Sequence, residues 1–226
     1  MLTDHSTEPM QTELLDKVLQ RPDAYLFIDR VQAALELERA KRKHFYEIVE
    51  ENRKMEFING VIVFQSPVRL WHNEATGFIY QMMDAYVRKN KLGKVGIEKL
   101  LVSLTRNDYE PDVCFWLLQK SSQFTRRQAQ FPAPDFVVEV LSKSTEKNDR
   151  GVKFDDYEAH GVGEYWLVDP EKQVVEQYVL EEGRYDLRLK AADGSISSVV
   201  IEGFRIPIKA IFEDDENARV LEQFWK

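Results

Sequence analysis

Pro134-Asp-Phe-Val-Val-Glu-Val-Leu141 is a run apolar on both faces and interrupted once, by Glu139. A run of this kind reads as a central strand buried on both sides, where an acid is costly unless it is paired or bound to metal. The run before it, Pro111-Asp-Val-Cys-Phe-Trp-Leu-Leu118, carries Asp112 at its start, whereas Glu139 stands near the end of its own run. Antiparallel pairing of the two strands therefore brings the carboxylates together. Like charges that close share a proton or are neutralised by a cation, and hard oxygen ligands suit Mg²⁺ or Mn²⁺. Lys153, in the segment that follows, adds an ammonium to what is in outline a catalytic metal site. The bland alternative is that Asp112 caps a turn after proline while Glu139 forms a partly buried ion pair with Lys153 or Arg150. Asp135, the more literal Pro-Asp, reads as a turn residue at the exposed end of its strand.

Before these strands, Val95 to Leu104 reads as a third strand. Leu70, Trp71, Ala75, Phe78, Ile79, Met82 and Tyr86 recur at helical spacing and predict a helix ending near Leu92-Gly93, with the glycine as its cap. Earlier still, Lys54–Ile58 and Val61–Gln65 flank Asn59-Gly60, which predicts a hairpin with a type I′ turn. Residues 1 to about 28 are polar and weakly patterned, and Asp29 to about Asn52 is rich in helix formers. These features divide the chain into an N-terminal helical extension, 1–53, and an α/β domain, 54–226.

The loop from Gln119 to Pro132 has room for a short helix and carries Arg126-Arg127, which could touch a phosphate. After the acidic strands, Thr145 is a candidate cap for a helix from about Glu146 to His160. Arg150, Lys153 and Tyr157 would share one face of it, and Gly161 would end it. Glu164–Val168, Gln173–Leu180 and Tyr185–Leu189 follow as strands around turns at Asp169-Pro170 and Glu182-Gly183, and a helix from about Asp214 to Phe224 closes the chain. Trp166 and Tyr165 are expected to fill core.

The composition, 43% hydrophobic and 12% aromatic in 226 residues, supports a substantial core. One cysteine, the lack of a secretion signal and the absence of an apolar run near the ~18 residues of a membrane span point to a cytoplasmic protein outside the membrane. The formal charge of −8 argues against a nucleic-acid partner. From Arg88 to Lys153, however, 13 basic residues face 8 acidic ones, so this stretch carries +5 and the remainder −13. The candidate site lies in the basic third.

Glu56-Phe-Ile-Asn-Gly60, Ser66-Pro67 followed by His72, Tyr109-Glu-Pro-Asp112, Pro134–Ser142, Asp149-Arg-Gly-Val-Lys153 and Gly161-Val-Gly-Glu-Tyr-Trp166 occur in an order that resembles the Uma-type restriction endonucleases, a branch of the PD-(D/E)XK nuclease superfamily. The likeness spans roughly Lys54 to Tyr178. It implies a restriction-endonuclease-like core of helix, three strands, helix and strand around a mixed sheet, with extra strands. It also implies a Mg²⁺-dependent DNA endonuclease, with the motif's two acids at Asp112 and Glu139 and its lysine at Lys153, and a homodimer. The superfamily's usual lysine position, two residues after the second acid, is Leu141 here. Lys153 on the following helix is therefore favoured over Lys143, which lies on the face of Glu139 if the strand continues. The carbonyl of Val140 would add a metal ligand. His72, Arg150 and Tyr157 would bind phosphate or support the site, and Glu74 or Glu98 could supply a further acid. The alternatives are an inactive nuclease-fold scaffold that binds nucleic acid or protein, and a regulatory interaction module.

Overall fold

In a computed structural model, which describes residues 9–49 and 53–226, the chain forms two compact units. One ends at Ile48 and includes the turn Asn59–Val61, and the other runs to Lys226. The first holds helices α1 (Pro9–Leu19) and α2 (Ala24–Ile48). The second begins with strands β1 (Met55–Ile58) and β2 (Val61–Phe64), helix α3 (Leu70–Asn90), β3 (Gly93–Ile97), β4 (Leu101–Ser103), β5 (Asp108–Tyr109) and β6 (Val113–Leu117). It continues through α4 (Leu118–Ser121), β7 (Gln130–Phe131), β8 (Phe136–Val140), α5 (Glu146–Asp149), α6 (Val152–Ala159), β9 (Glu164–Asp169), β10 (Val174–Glu181) and β11 (Arg184–Ala191). The small ribbon β12 (Ser195–Ser197) and β13 (Arg205–Pro207), a 3₁₀ turn at Ile208–Ile211 and helix α7 (Asp214–Trp225) complete it. No helix among the described residues is long and apolar enough to cross a membrane.

The central sheet runs β11-β10-β9-β8-β6-β3. β3, β6 and β8 pair antiparallel, and the crossover through α5 and α6 then sets β9 parallel to β8. Helix α3, these three strands, the crossover helices and β9 make the restriction-endonuclease-like core. Alternation along the strands divides the interior in two. Phe115, Phe136, Val138, Val140 and Trp166 face a core that includes Ile79 and Met83 of α3 and Val220 of α7. Cys114, Trp116, Val137, Tyr165 and Leu167 face a second core with Tyr157 of α6 and Val102 and Tyr109 of the smaller sheet, ordered β2-β1-β5-β4-β7. Trp166 and Tyr165 are both buried, as expected of core residues.

Several local expectations are corrected. The helices begin at Pro9, within the stretch read as weakly patterned, and the expected end near Asn52 lies outside the described residues. Helix α3 is capped by Lys91, at φ 57°, with the Leu92 amide closing on the Val87 carbonyl at 3.1 Å. Gly93 serves close approach instead, since a Cβ there would lie 2.0 Å from the Trp116 carbonyl oxygen. The strand expected over Val95–Leu104 is two strands in different sheets, because the chain turns at Glu98, at φ 43°. The helix expected from Glu146 to His160 is broken at Gly151, where a Cβ would meet the Lys147 carbonyl at 2.8 Å. Thr145 makes no capping bond; its amide approaches the Ser142 hydroxyl at 3.3 Å, and the Glu146 amide donates to the Ser142 carbonyl at 2.9 Å. By contrast, the hairpin turn has the positive φ values its sequence demands, 50° at Asn59 and 79° at Gly60. Gly161, at φ 71°, follows α6, with the Val162 amide on the Tyr157 carbonyl at 3.0 Å.

Candidate functional site

Val113 lies opposite Val138 in the β6–β8 ladder, so one further step places Asp112 opposite Glu139. Both side chains point to the face of Cys114 and Val137 rather than to that of α3. The Val140 amide donates to Asp112 Oδ2 at 2.8 Å, and the Asp112 amide approaches Glu139 Oε2 at 3.4 Å. Each acid is thus fixed by the other's strand.

Two lysines neutralise them. Lys54, just before β1, places Nζ 2.7 Å from Asp112 Oδ1, while His72 Nε2, on the first turn of α3, lies 3.4 Å from Oδ2. Lys153 is enclosed by three carboxylates: Glu56 at 2.9 Å, Glu139 at 3.0 Å and Asp149, four residues earlier, at 3.2 Å. The Tyr157 hydroxyl also donates to Glu139 Oε1, at 3.2 Å. Glu56 is held in turn by the Glu110 amide at 3.0 Å, and the Met55 amide donates to the Glu110 carboxylate at 2.9 Å, so the β1–β5 pairing delivers Glu56 to the site. Asp112, Glu139 and Lys153 lie against a cavity of about 360 Å³, together with Lys54, His72, Asp149 and the Ser142–Thr145 loop.

Four carboxylates at most 4% exposed thus face two ammonium groups, an excess of two negative charges when all are ionised. Burial pushes Asp112 up, but Lys54 and His72 outweigh it and hold its carboxyl well below the ordinary range. Burial pushes Glu139 up to about 8, with Lys153 opposing and Asp149, Asp112 and Glu56 reinforcing. Burial raises Asp149 as well. Two adjacent carboxyls driven apart in this way are the mark of a pair that does not ionise together unaided.

The donor set fits a hard divalent cation. Glu139 Oε1 is engaged by Lys153 and Tyr157, whereas among the described residues Oε2 has only its long contact to the Asp112 amide. Among the described residues no three His, Cys, Asp or Glu side chains form a ready-made cage. An ion here would therefore take two carboxylates, a main-chain oxygen and water, a set that Mg²⁺ accepts and that offers no soft ligand.

Of the other candidates, Arg150 is turned away from Lys153 and binds Glu176 at 2.7 Å and Glu146 at 3.0 Å, because the break at Gly151 removes it from α6. Lys143 lies exposed on the cavity rim, beyond the end of β8. Glu74 is exposed, and Glu98 sits at the turn after β3, its amide donating to the Asp112 carbonyl at 2.9 Å. Asp135 accepts the Leu117 amide and pairs with Lys120, both at 2.8 Å, and Arg126 and Arg127 are exposed in their loop. The acids that do join the site, Glu56 and Asp149, were missed, as was Lys54. Glu56 carries the signal that exposed Glu139, an acid inside an apolar strand, and Asp149 stands four residues before Lys153.

No curated protein matches this chain. Among solved structures, "a putative nuclease belonging to DUF820" from Anabaena variabilis is similar over 74% of this chain and 94% of its own, with a TM-score of 0.65 and 18% identity, which establishes a shared fold. The Uma2 family profile, described as "Putative restriction endonuclease", matches residues 36–209. That span runs from within α2 to the 3₁₀ turn and takes in every charged residue gathered around Asp112 and Glu139, so the chain belongs to the Uma2 family.

Proposed function

We propose that this protein is a divalent-metal-dependent phosphodiester hydrolase acting on DNA. The observation that carries the reading is the β6–β8 register, which sets Asp112 beside Glu139 on one face of the sheet, within a buried cluster of excess negative charge. Asp112, Glu139 and the Val140 carbonyl would hold Mg²⁺, or Mn²⁺ in its place. The ion supplies the charge that allows a nucleophile to approach an anionic phosphodiester. The chain's own residues prepare the two ligands. Lys153 and Tyr157 fix Glu139 through Oε1 and leave Oε2 for the ion, while His72 and the Val140 amide fix the Asp112 carboxylate through Oδ2. Glu56 and Asp149 hold Lys153 in place from behind. A homodimer carrying two such sites completes the proposal.

Calorimetric titration with Mg²⁺ and Mn²⁺ tests the reading. The wild type is expected to bind, and Asp112→Asn and Glu139→Gln to lose at least about 100-fold in affinity, since each removes a charged ligand. Cleavage of plasmid and single-stranded DNA should follow the same order, and sedimentation reads the dimer. A wild type that binds no metal and cuts no DNA overturns the reading in favour of an inactive scaffold. The Lys54–Asp112 contact favours that second reading, since it neutralises the acid internally.

A further inference from the structure

The cavity above the carboxylates has one wall unlike the others. Gln65 to Arg69 lead into α3, whose second residue, Trp71, lines the cavity and remains 41% exposed. The Arg69 guanidinium lies 5.1 Å from the centre of the Trp71 ring. His72 follows directly and reaches Asp112, so the indole is tied to the acid pair by one peptide unit. Lys54 lies deeper in the same cavity. Two of the rim acids are occupied, Asp169 by Lys172 at 2.8 Å and Glu146 by Arg150 at 3.0 Å. Among the described residues, neither Arg69 nor Lys143 is in an ion pair.

An exposed indole with a guanidinium against its ring is the chemistry on which nucleobases stack. A base within a continuous duplex already has neighbours on both faces and has none to offer, whereas an unpaired base does. The volume agrees. The cavity of about 360 Å³ is at the small end of ligand pockets, and the carboxylates below it are nearly closed to solvent, so a phosphate must leave the surface to reach them.

We propose that Trp71 is a stacking platform for an unpaired base next to the scissile phosphate, with Arg69 facing a flanking phosphate. On this reading the substrate is single-stranded nucleic acid, or an unpaired end, rather than continuous duplex. The inference rests on the hydrolase reading and narrows its substrate.

The experiment measures binding of a labelled single-stranded oligonucleotide, and of the same strand in a duplex, to the full chain by anisotropy. It is run with a chelator at one fixed salt concentration, so that neither cleavage nor counterion effects intervene. The wild type is expected to bind the single strand about tenfold or more tightly than the duplex. Trp71→Ala should weaken single-strand binding by roughly five- to hundredfold, and Trp71→Phe should restore most of it. Quenching of tryptophan fluorescence by the oligonucleotide should persist in Trp225→Phe, which removes the other strongly exposed indole, and vanish in Trp71→Phe. Equal or tighter binding of the duplex, an unchanged dissociation constant in Trp71→Ala, or binding of neither nucleic acid overturns the inference. Mg²⁺ titration of the same preparations separates the two claims: metal binding without a single-strand preference overturns only this one, and absence of metal binding overturns the hydrolase reading.

Discussion

Glu139 and Glu164 are both buried glutamates on adjacent strands of one sheet, yet their surroundings differ in kind. Glu164 accepts hydrogen bonds from Trp166 Nε1 at 2.6 Å, Gln177 Nε2 at 2.7 Å, the Ser198 hydroxyl and the amides of Val199 and Val200 at 2.9 and 3.1 Å. Every one of these donors is neutral, and together they tie the turn before β13 to β9. Glu139 instead has a lysine and a tyrosine on one oxygen and three further carboxylates close by. A lone buried acid saturated by neutral donors is an anchor. Acids gathered in excess of their cations instead add to burial in pushing carboxyls up, as at Glu139 and Asp149.

The largest effect should come from removing a cation from the crowded cluster. Lys153→Met deletes an ammonium held by Glu56, Glu139 and Asp149 and leaves buried carboxylates facing one another. Loss of one side of a buried ion pair costs about 3–5 kcal/mol, and urea unfolding at neutral pH should show a drop of that size. The double variant Lys153→Met with Glu139→Gln should recover part of it, because the second change removes a carboxyl left without its ammonium. A drop below about 1 kcal/mol in the single variant would show that the cluster takes up protons or water without strain, and would weaken the contrast with Glu164.

The contrast itself is tested by making the same substitution at both glutamates. Glu164→Gln turns one of its acceptor atoms into a donor facing existing donors, and should cost about 1–3 kcal/mol. Glu139→Gln keeps an acceptor for Lys153 and Tyr157 while removing one of four crowded carboxyls. It should leave stability unchanged or slightly raised as metal affinity falls, the pattern of a residue kept for function at the expense of the fold. Equal losses at the two positions, by thermal or urea unfolding, would show that both acids are simple anchors.

Much of this was legible in the chain. The acid inside Phe136–Val140 and the acid opening Val113–Leu117 specify their own meeting once the strands pair antiparallel, because side chains on a strand alternate with a period of two. The Asn59-Gly60 turn and Gly161 were equally plain, since few residues adopt positive φ there without strain. What stayed hidden depended on distant partners. Glu56 stands out as an acid within an apolar strand, but its place beside Lys153 comes only from the pairing of β1 with β5, and Lys54 acquires its role only when that pairing carries it to Asp112. The break at Gly151 was hidden for a similar reason. A glycine within a helical pattern usually lowers helicity by about 1 kcal/mol without ending the helix, and here the backbone leaves the helix at Gly151 in a conformation whose close Lys147 carbonyl leaves no room for a Cβ.

A third buried acid, Glu176 on β10, stands between the two extremes and sharpens the comparison through pH. It is saturated as Glu164 is, but largely by opposite charges: Arg150 at 2.7 Å and Lys190 at 3.0 Å, with the Tyr178 hydroxyl at 2.8 Å. Burial pushes its carboxyl up, but these partners together pull it down to about 2, against an ordinary 4.5. A carboxyl with a depressed folded-state pKa contributes stability that is complete above its unfolded value and is lost as protons bind the folded form. Unfolding free energy should therefore fall as pH drops from about 4.5 towards 2, and Glu176→Gln should flatten that part of the profile. Arg150 and Lys190 both reach solvent, so screening limits the effect to about 1 kcal/mol. In Glu176→Gln the acid limb that remains comes from the other carboxyls. If the variant matches the wild type throughout this range, the ion pairs on β10 contribute nothing to the fold, and neutral saturation of the Glu164 kind is what holds a solitary buried acid in this sheet.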